Sequence, residues 1–368
     1  MLSSWVMLRS WIGMVGIVIS AVLAGCAVSD VVDSPSEEAI AELARYDVEE
    51  RAVRFEAAGI DVHGTLTVPE GVDDAPGVVL VAGSGATDRN WNSPLLPGDG
   101  GTAIELSQRL GEAGIAVLRY DKRGTGESEY SGAIEWSDYL AEVEQAVSHL
   151  ADVDEVDERR VVLAGHSEGG AHAIRAVADG RVDVAGMALL STAGRSTADL
   201  VIDEVTKQLE DAGVDQAVID IELARLEQAL ESVSRGHGVN PAQVSEIPGL
   251  VSLFETFQQE ETREFAAQML RWDPVSRIRQ IDEPIVIVNG LKDLHIDGER
   301  DGRRLYEAAK ESHDDVELAL LPQADHVLKY QSIPIEELRP QHGLTYNHEN
   351  RRLDEAALQV MVDWVRDL

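Results

Sequence analysis

Apolar residues along this chain follow two alternating rhythms. Short apolar runs recur at Gly77-Val78-Val79-Leu80-Val81-Ala82, Ile115–Leu118, Val161–Ala164, Val184–Leu190 and Ile285–Val288, and Val316–Leu321, broken only by Glu317, is the last. Such runs read as strands covered on both faces, the mark of a parallel sheet. Between them lie stretches with helical spacing. These are Thr102–Ala113, Trp136–Ala151 with Tyr139, Val143, Val147 and Leu150 on one stripe, and Asp354–Val365 with Ala357, Val360 and Trp364 on one face. Upstream, Val53–Phe55 and Val62–Val68 read as an antiparallel strand pair. The alternation predicts an α/β fold, a mostly parallel sheet with helices on both faces.

One stretch breaks the rhythm. Arg195–Met269 has no strand signal but carries helical stripes at Leu200/Val201/Val205/Leu209, Val218/Ile221/Leu226/Leu230 and Leu250/Phe254/Phe257. A structureless loop of that length does not suit a compact domain, so residues 195–275 are predicted to be an inserted helical cap. The predicted core is then residues 51–194 and 276–368. Ahead of it stand an address segment, 1–25, and a tether with an N-terminal segment, 26–50.

The address segment has one base, Arg9, and no acid, and Trp11–Leu23 is almost wholly apolar. It is shorter than the roughly 20 residues that cross a bilayer and reads as the apolar region of a secretory signal. Leu23-Ala24-Gly25-Cys26 follows and resembles a bacterial lipoprotein processing site. Cys26, the one cysteine, would become the first mature residue and carry lipid on its sulfur. No internal disulfide is possible. Ser29–Glu38, polar and acidic around Pro35, resembles a tether. Ala27, where an inner-membrane retention signal would have Asp, points to the outer membrane in a cell that has one. The expectation is a cell-envelope protein, lipid-anchored through Cys26. A plain secretory signal and an uncleaved anchor are the alternatives.

Charge narrows the partners. The 368 residues hold 67 Asp+Glu against 31 Lys+Arg, a formal net charge of −36. Such a surface repels phosphate backbones, which excludes nucleic acid from the expected partners. The acids are spread along the chain, and a salty medium would screen their mutual repulsion. No His/Cys/Asp/Glu grouping has metal-ligand spacing, so no metal is expected.

The chemistry centres on Ser167. The run Val161–Ala164 enters Gly165-His166-Ser167-Glu168-Gly169-Gly170, and a helix follows through Ala176. A strand–tight turn–helix around G-x-S-x-G lifts a serine hydroxyl above the sheet on strained backbone, with glycines where side chains would collide. It also puts Ser167 at a helix N-terminus, where negative charge is favoured. Acyl transfer needs two fixed donors on the developing oxyanion. One expected donor is the Glu168 backbone N–H. The other is the Ser84 N–H, from Gly83-Ser84-Gly85-Ala86-Thr87-Asp88-Arg89 after the first parallel run.

The partners of a serine on such a turn follow it in the order acid, then histidine. His326, in Leu320-Leu321-Pro322-Gln323-Ala324-Asp325-His326, follows the last strand at the edge where Ser167 sits, and is the expected base. Its alternates are His342 and His348; His63 and His149 precede the serine, and His166 is expected to pack. Asp293 follows Ile285–Val288 and is the expected acid, orienting the imidazole and stabilising the imidazolium. Asp297 and Asp325 compete with it.

Together with Asp121-Lys122-Arg123-Gly124-Thr125-Gly126-Glu127-Ser128, these blocks resemble the α/β-hydrolase superfamily, specifically bacterial esterases and serine-aminopeptidase-like hydrolases, over about residues 51–368. The resemblance implies an eight-stranded sheet, no cofactor, and hydrolysis through an acyl-enzyme. It makes Arg123 a structural buttress. Val327–Asn350 departs from it by its length, carries Tyr330, His342, Tyr346 and His348, and is expected to border the pocket. The expected function is a serine esterase acting on a small-molecule ester. Aminopeptidase, thioesterase or lactonase activity on the same residues is the alternative, and a non-catalytic binding lipoprotein is the rival from another class. Oligomeric state stays open.

Overall fold

In the computed structural model, which describes residues 30–245 and 247–368, eight strands form one sheet. They are β1 Val48–Ala57, β2 Ile60–Pro69, β3 Ala75–Val81, β4 Ala116–Tyr120, β5 Val156–His166, β6 Gly186–Leu190, β7 Ile285–Gly290 and β8 Val316–Leu321. Their order across the sheet is β1-β2-β4-β3-β5-β6-β7-β8. β1 and β2 form a hairpin closed by Ala58-Gly59, both at positive φ (45° and 80°), as the twist of a two-residue turn requires. β2 meets β4 antiparallel, and every later pairing is parallel.

The described helices, in chain order, are α1 Glu37–Ala41, α2 Thr102–Glu112, α3 Trp136–Ala151, α4 Glu168–Ala178, α5 Thr197–Asp211, α6 Gln216–Ser234, α7 Pro241–Val244, α8 Pro248–Phe257, α9 Arg263–Leu270, α10 Pro274–Ile278, α11 Gly298–Lys310 and α12 Glu355–Asp367. Alternate residues of the central strands feed two cores. Val79, Val81 and Leu163 join α3, α4, α10 and α11 on one face. Val78, Leu80 and Val162 join α2 and α12 on the other. Burial on both faces is why these strands are apolar without interruption.

Three local expectations shift. The run at Ile115–Leu118 continues as strand through Arg119 and Tyr120. A buried arginine is tolerated there because Arg119 donates to Glu50 (2.9 Å), Asn90 (3.0 Å) and Ser107 (2.9 Å). β6 starts at Gly186, two residues later than its apolar run. On α6 the buried stripe is Ile219, Leu226, Leu230 and Val233, while Val218 and Ile221 are 48% and 54% exposed. The spacing 219-226-230-233 keeps to one face at 3.6 residues per turn, and 218 and 221 fall off it.

Helices α5 to α9 lie between β6 and β7 and share a core of their own, with Val205, Leu226, Leu230, Phe254 and Leu270 inside. α10 instead packs under the sheet through Ile278. The predicted signal segment and Cys26 lie outside the described residues. From Asp30 the chain runs beside β8, where Leu320 N–H donates to Asp30 O (2.7 Å) and Val32 N–H to Leu320 O (3.0 Å). Arg303 pairs with the Asp30 carboxylate at 2.8 Å.

Candidate active site

Five of the sheet's carboxyl-end loops line the site, those after β3, β5, β6, β7 and β8. β5 ends at His166, and α4 begins at Glu168. Ser167 alone makes the turn, at φ 54° and ψ −119°. A positive φ is strained for a residue with a Cβ, so neighbours must hold it. Ser167 N–H donates to Leu190 O on β6 at 2.8 Å. The glycines allow the close approach: a Cβ on Gly165 would lie 2.3 Å from Gly169 O, and one on Gly169 would lie 2.4 Å from Val81 O. The turn leaves Ser167 and Glu168, whose N–H is one of the unpaired first-turn donors of α4, lining one cavity.

β7 and β8 deliver the other two predicted residues together. His326 Nδ1 lies 2.7 Å from Asp293 Oδ2. Asp293 Oδ1 accepts the His295 N–H (2.6 Å) and the Ile296 N–H (3.1 Å). Asp293 therefore cannot rotate without losing three bonds. With Nδ1–H donated to the carboxylate, Nε2 of His326 is the acceptor, in a ring that lines the same cavity as Ser167. His166 ties the strands together, its Nε2–H donating to the His326 carbonyl at 2.8 Å. Its ring stacks on Trp91 with centroids 4.4 Å apart, and burial holds its pKa down to about 3.

The competitors are engaged elsewhere. Asp325 pairs with Arg351 at 2.6 Å and accepts the Val327 and Lys329 N–H groups. Asp297 caps α11 by accepting Arg300 N–H at 3.0 Å. His342 Nδ1 accepts the Arg339 N–H at 2.8 Å. His63 and His149 sit on β2 and α3.

Burial governs the electrostatics of the dyad. It pushes Asp293 up to about 7, against the pull of the His295 and Ile296 donors, and pushes His326 down to about 4. The resting ring is neutral and able to take a proton. A buried carboxylate opposite a neutral ring is poorly stabilised, and the same carboxylate opposite an imidazolium is well stabilised. Attraction between the carboxylate and an imidazolium offsets part of the burial cost when the ring accepts a proton.

The loop after β3 forms the cavity's opposite wall through Gly83 and Ser84. Thr87 Oγ1 donates to Ser84 O at 2.8 Å. Asp121, after β4, accepts Arg89 N–H (2.7 Å), Arg89 Nε–H (3.0 Å) and Glu127 N–H (2.9 Å), joining two loops behind the site. Arg123 is 1% exposed in its side chain, donates to Glu142 at 2.6 Å and forms an ion pair with Asp138 at 3.3 Å, contacts that brace a loop rather than face the cavity.

The cavity has a volume of about 260 Å³ and an apolar wall that includes Trp91, Leu96, Leu200, Val201, Met269 and Trp272, four of them from residues 200–272. Val327–Asn350 reaches it through Val327, Tyr346 and Asn347, whereas Tyr330 is 49% exposed at the surface. Lys329 pins that excursion by donating to the carbonyls of Gly100, Tyr346 (2.8 Å) and His348 (3.1 Å).

Two cavity residues escaped the sequence reading. His295 is half-buried, 4.7 Å from the His326 ring centroid to centroid, and desolvation holds it down to about 4. Its place two residues after the acid was the available signal. Glu204, on α5, lines the same cavity, and burial pushes it up to about 7. Among the described residues it has no hydrogen-bond or ion-pair partner. Nothing in an acid-rich amphipathic helix marks one glutamate as inward-facing.

Residues 78–338 match the profile of a family described as "Alpha/beta hydrolase family". None of the curated proteins compared with the chain matches its sequence. Similar solved structures include a hypothetical protein from Pseudomonas aeruginosa, 18% identical with a TM-score of 0.54, covering 87% of this chain and 94% of that one. Est1E from Butyrivibrio proteoclasticus with ferulic acid bound is 15% identical (TM-score 0.51; 86% and 97% covered). Proline iminopeptidase from Mycobacterium smegmatis is 14% identical (TM-score 0.51; 86% and 98% covered). At these identities the likeness is one of fold.

Proposed function

This chain belongs to the alpha/beta hydrolase family, and from that premise we propose that it is a serine esterase acting on small carboxylic esters through an acyl-enzyme. The observation that carries the reading is the Asp293–His326 contact at 2.7 Å in the wall of the cavity that Ser167 also lines. His326 Nε2 takes the Ser167 proton as the hydroxyl oxygen attacks the ester carbonyl. The oxyanion rests on the N–H groups of Ser84 and Glu168. His326 then protonates the leaving alcohol, and water attacks the acyl-enzyme by the same route in reverse.

The cavity volume favours short acyl groups. A p-nitrophenyl ester series should show turnover with acetate and butyrate that declines for long chains. Ser167→Ala should abolish it with unchanged thermal unfolding. An active S167A protein, or a wild-type protein that a fluorophosphonate leaves unlabelled, would refute the reading.

Glu204 favours a second reading. An unpartnered carboxyl above Ser167 suits a substrate bearing an amine or another donor, which is what an aminopeptidase needs. For location, the proposal is a lipid on Cys26. Asp30 is held at Leu320, next to the edge that bears the site. Four extended residues span only about 14 Å, so a lipid there would keep the site mouth close to a membrane. Incorporation of labelled palmitate, lost in Cys26→Ser, tests it.

A further inference from the structure

One buried cation has no part in the chemistry above. Lys122 follows β4, the strand beside β3, and is 1% exposed. An ammonium so deeply buried is costly unless its donors are matched. Its Nζ donates to the Gly83 carbonyl. Its other neighbours are Glu168 Oε1 at 4.0 Å and the Tyr139 ring at 5.5 Å, with Glu142 more distant. Glu168 in turn lies 3.6 Å from His172 Nε2, one turn along α4.

The Gly83–Ser84 peptide, like every described peptide bond, is trans. In a trans peptide the carbonyl and the following N–H point in opposite directions in one plane. Lys122 holds the Gly83 carbonyl without itself lining the cavity, whereas Gly83 and Ser84 both do. Anchoring the carbonyl inward therefore turns the Ser84 N–H outward, toward the space above Ser167. A free Gly83 peptide has little to prevent its rotation, since a glycine tolerates either orientation. The same ammonium faces the side chain of Glu168, whose backbone N–H is the second donor.

From this arrangement we infer that Lys122 is a positioning residue that sets the oxyanion hole, fixing the Ser84 N–H through the Gly83 carbonyl and bracing Glu168 from the same point. It touches no substrate atom. The inference rests on the hydrolase reading and adds to it an assignment for the loop behind the site. Its effect belongs to the tetrahedral states alone, because the oxyanion exists only there.

The test is Lys122→Met, which keeps the length and volume and removes the donor, beside Lys122→Arg, which keeps a charged donor. Sites are counted by fluorophosphonate end-point titration, so misfolded protein does not enter the rates. With p-nitrophenyl acetate, kcat per titrated site should fall about 10²-fold in the methionine variant, with KM within threefold of wild type. Affinity for an alkylboronic acid, which forms a tetrahedral adduct on Ser167, should fall by a similar factor. Lys122→Arg should recover most of both. A merely structural lysine would lower the titrated fraction or Tm and leave kcat per site and boronate affinity unchanged, and that result overturns the inference. Should Lys122→Met fail to fold, Lys122→Gln, polar but too short to reach the carbonyl, is measured against the same two outcomes. A wild-type protein that neither labels nor turns over ester would fail the hydrolase reading itself, a result distinct from an active wild type with an indifferent Lys122.

Discussion

Asp293→Asn separates the proposed relay from the fold that carries it. Asparagine keeps an oxygen for the His295 and Ile296 N–H groups, which hold Oδ1 at 2.6 Å and 3.1 Å. The other position, 2.7 Å from His326 Nδ1, becomes an NH2. Two donors cannot face each other, so His326 must present a bare Nδ1 and carry its proton on Nε2. That ring cannot accept the Ser167 proton. A wrong-tautomer base costs about 10⁴ in kcat, or ~5.5 kcal/mol of barrier. Stability should move the other way. Burial raises Asp293 to about 7 in the folded protein. A raised carboxyl pKa means that its contribution to stability is full below the unfolded carboxyl pKa and is lost as pH rises through the folded value, above which the anion must be buried. The amide has no such charge to bury, so at pH 8 the variant's Tm should equal or exceed that of wild type. Initial rates with p-nitrophenyl acetate and thermal melts at pH 8 measure both quantities. Asp297→Asn, a cap for which asparagine serves equally well, is the control. Activity within threefold of wild type would refute the tautomer argument, and a collapsed Tm would mean that Asp293 is a structural residue.

Two further outcomes follow from the same cavity. The dyad loses its base function when it takes up its first extra proton, whichever atom holds that proton. Activity should be present above the dyad's apparent pKa and decline as pH falls through a value between about 4 and about 7, the limits set by His326 and Asp293. A pH profile of kcat/KM with its acid limb above 7 would contradict this. For Glu204, a panel of amino-acid p-nitroanilides beside p-nitrophenyl esters decides between the readings. Glu204→Gln should leave acetate ester turnover within threefold if no substrate amine is held there, and a 10-fold or greater rise in KM confined to the anilides would favour the aminopeptidase.

The elements of this fold were legible because the sheet is parallel. A strand segment buried on both faces is apolar nearly throughout, and β3, the second half of β5, residues 285–288 of β7 and residues 318–321 of β8 announce themselves in that way. The Ser167 turn was equally legible, since its glycines are demanded by contacts of 2.3 Å and 2.4 Å that no Cβ could make. The placement of Asp293 and His326 followed from the rule that loops at the carboxyl ends of parallel strands meet at one edge.

Other features needed the tertiary structure, because they depend on which side of an element faces inward or on where a side chain ends. Asp325 remained a competitor of Asp293 in the sequence; the Arg351 pairing on one and the imidazole on the other decide between them. On α6 the true stripe was set by packing against the neighbouring helices, not by the first apolar residues met in sequence. Glu204 is one acid among 67, and only the position of α5 over the cavity singles it out. Lys122 lies inside a motif whose letters say nothing of direction; its bond to Gly83 depends on β4 and β3 lying side by side. Local sequence determines periodicity and turns, which are properties of a few consecutive residues. Distances between residues far apart in the chain are fixed only when all the layers pack at once.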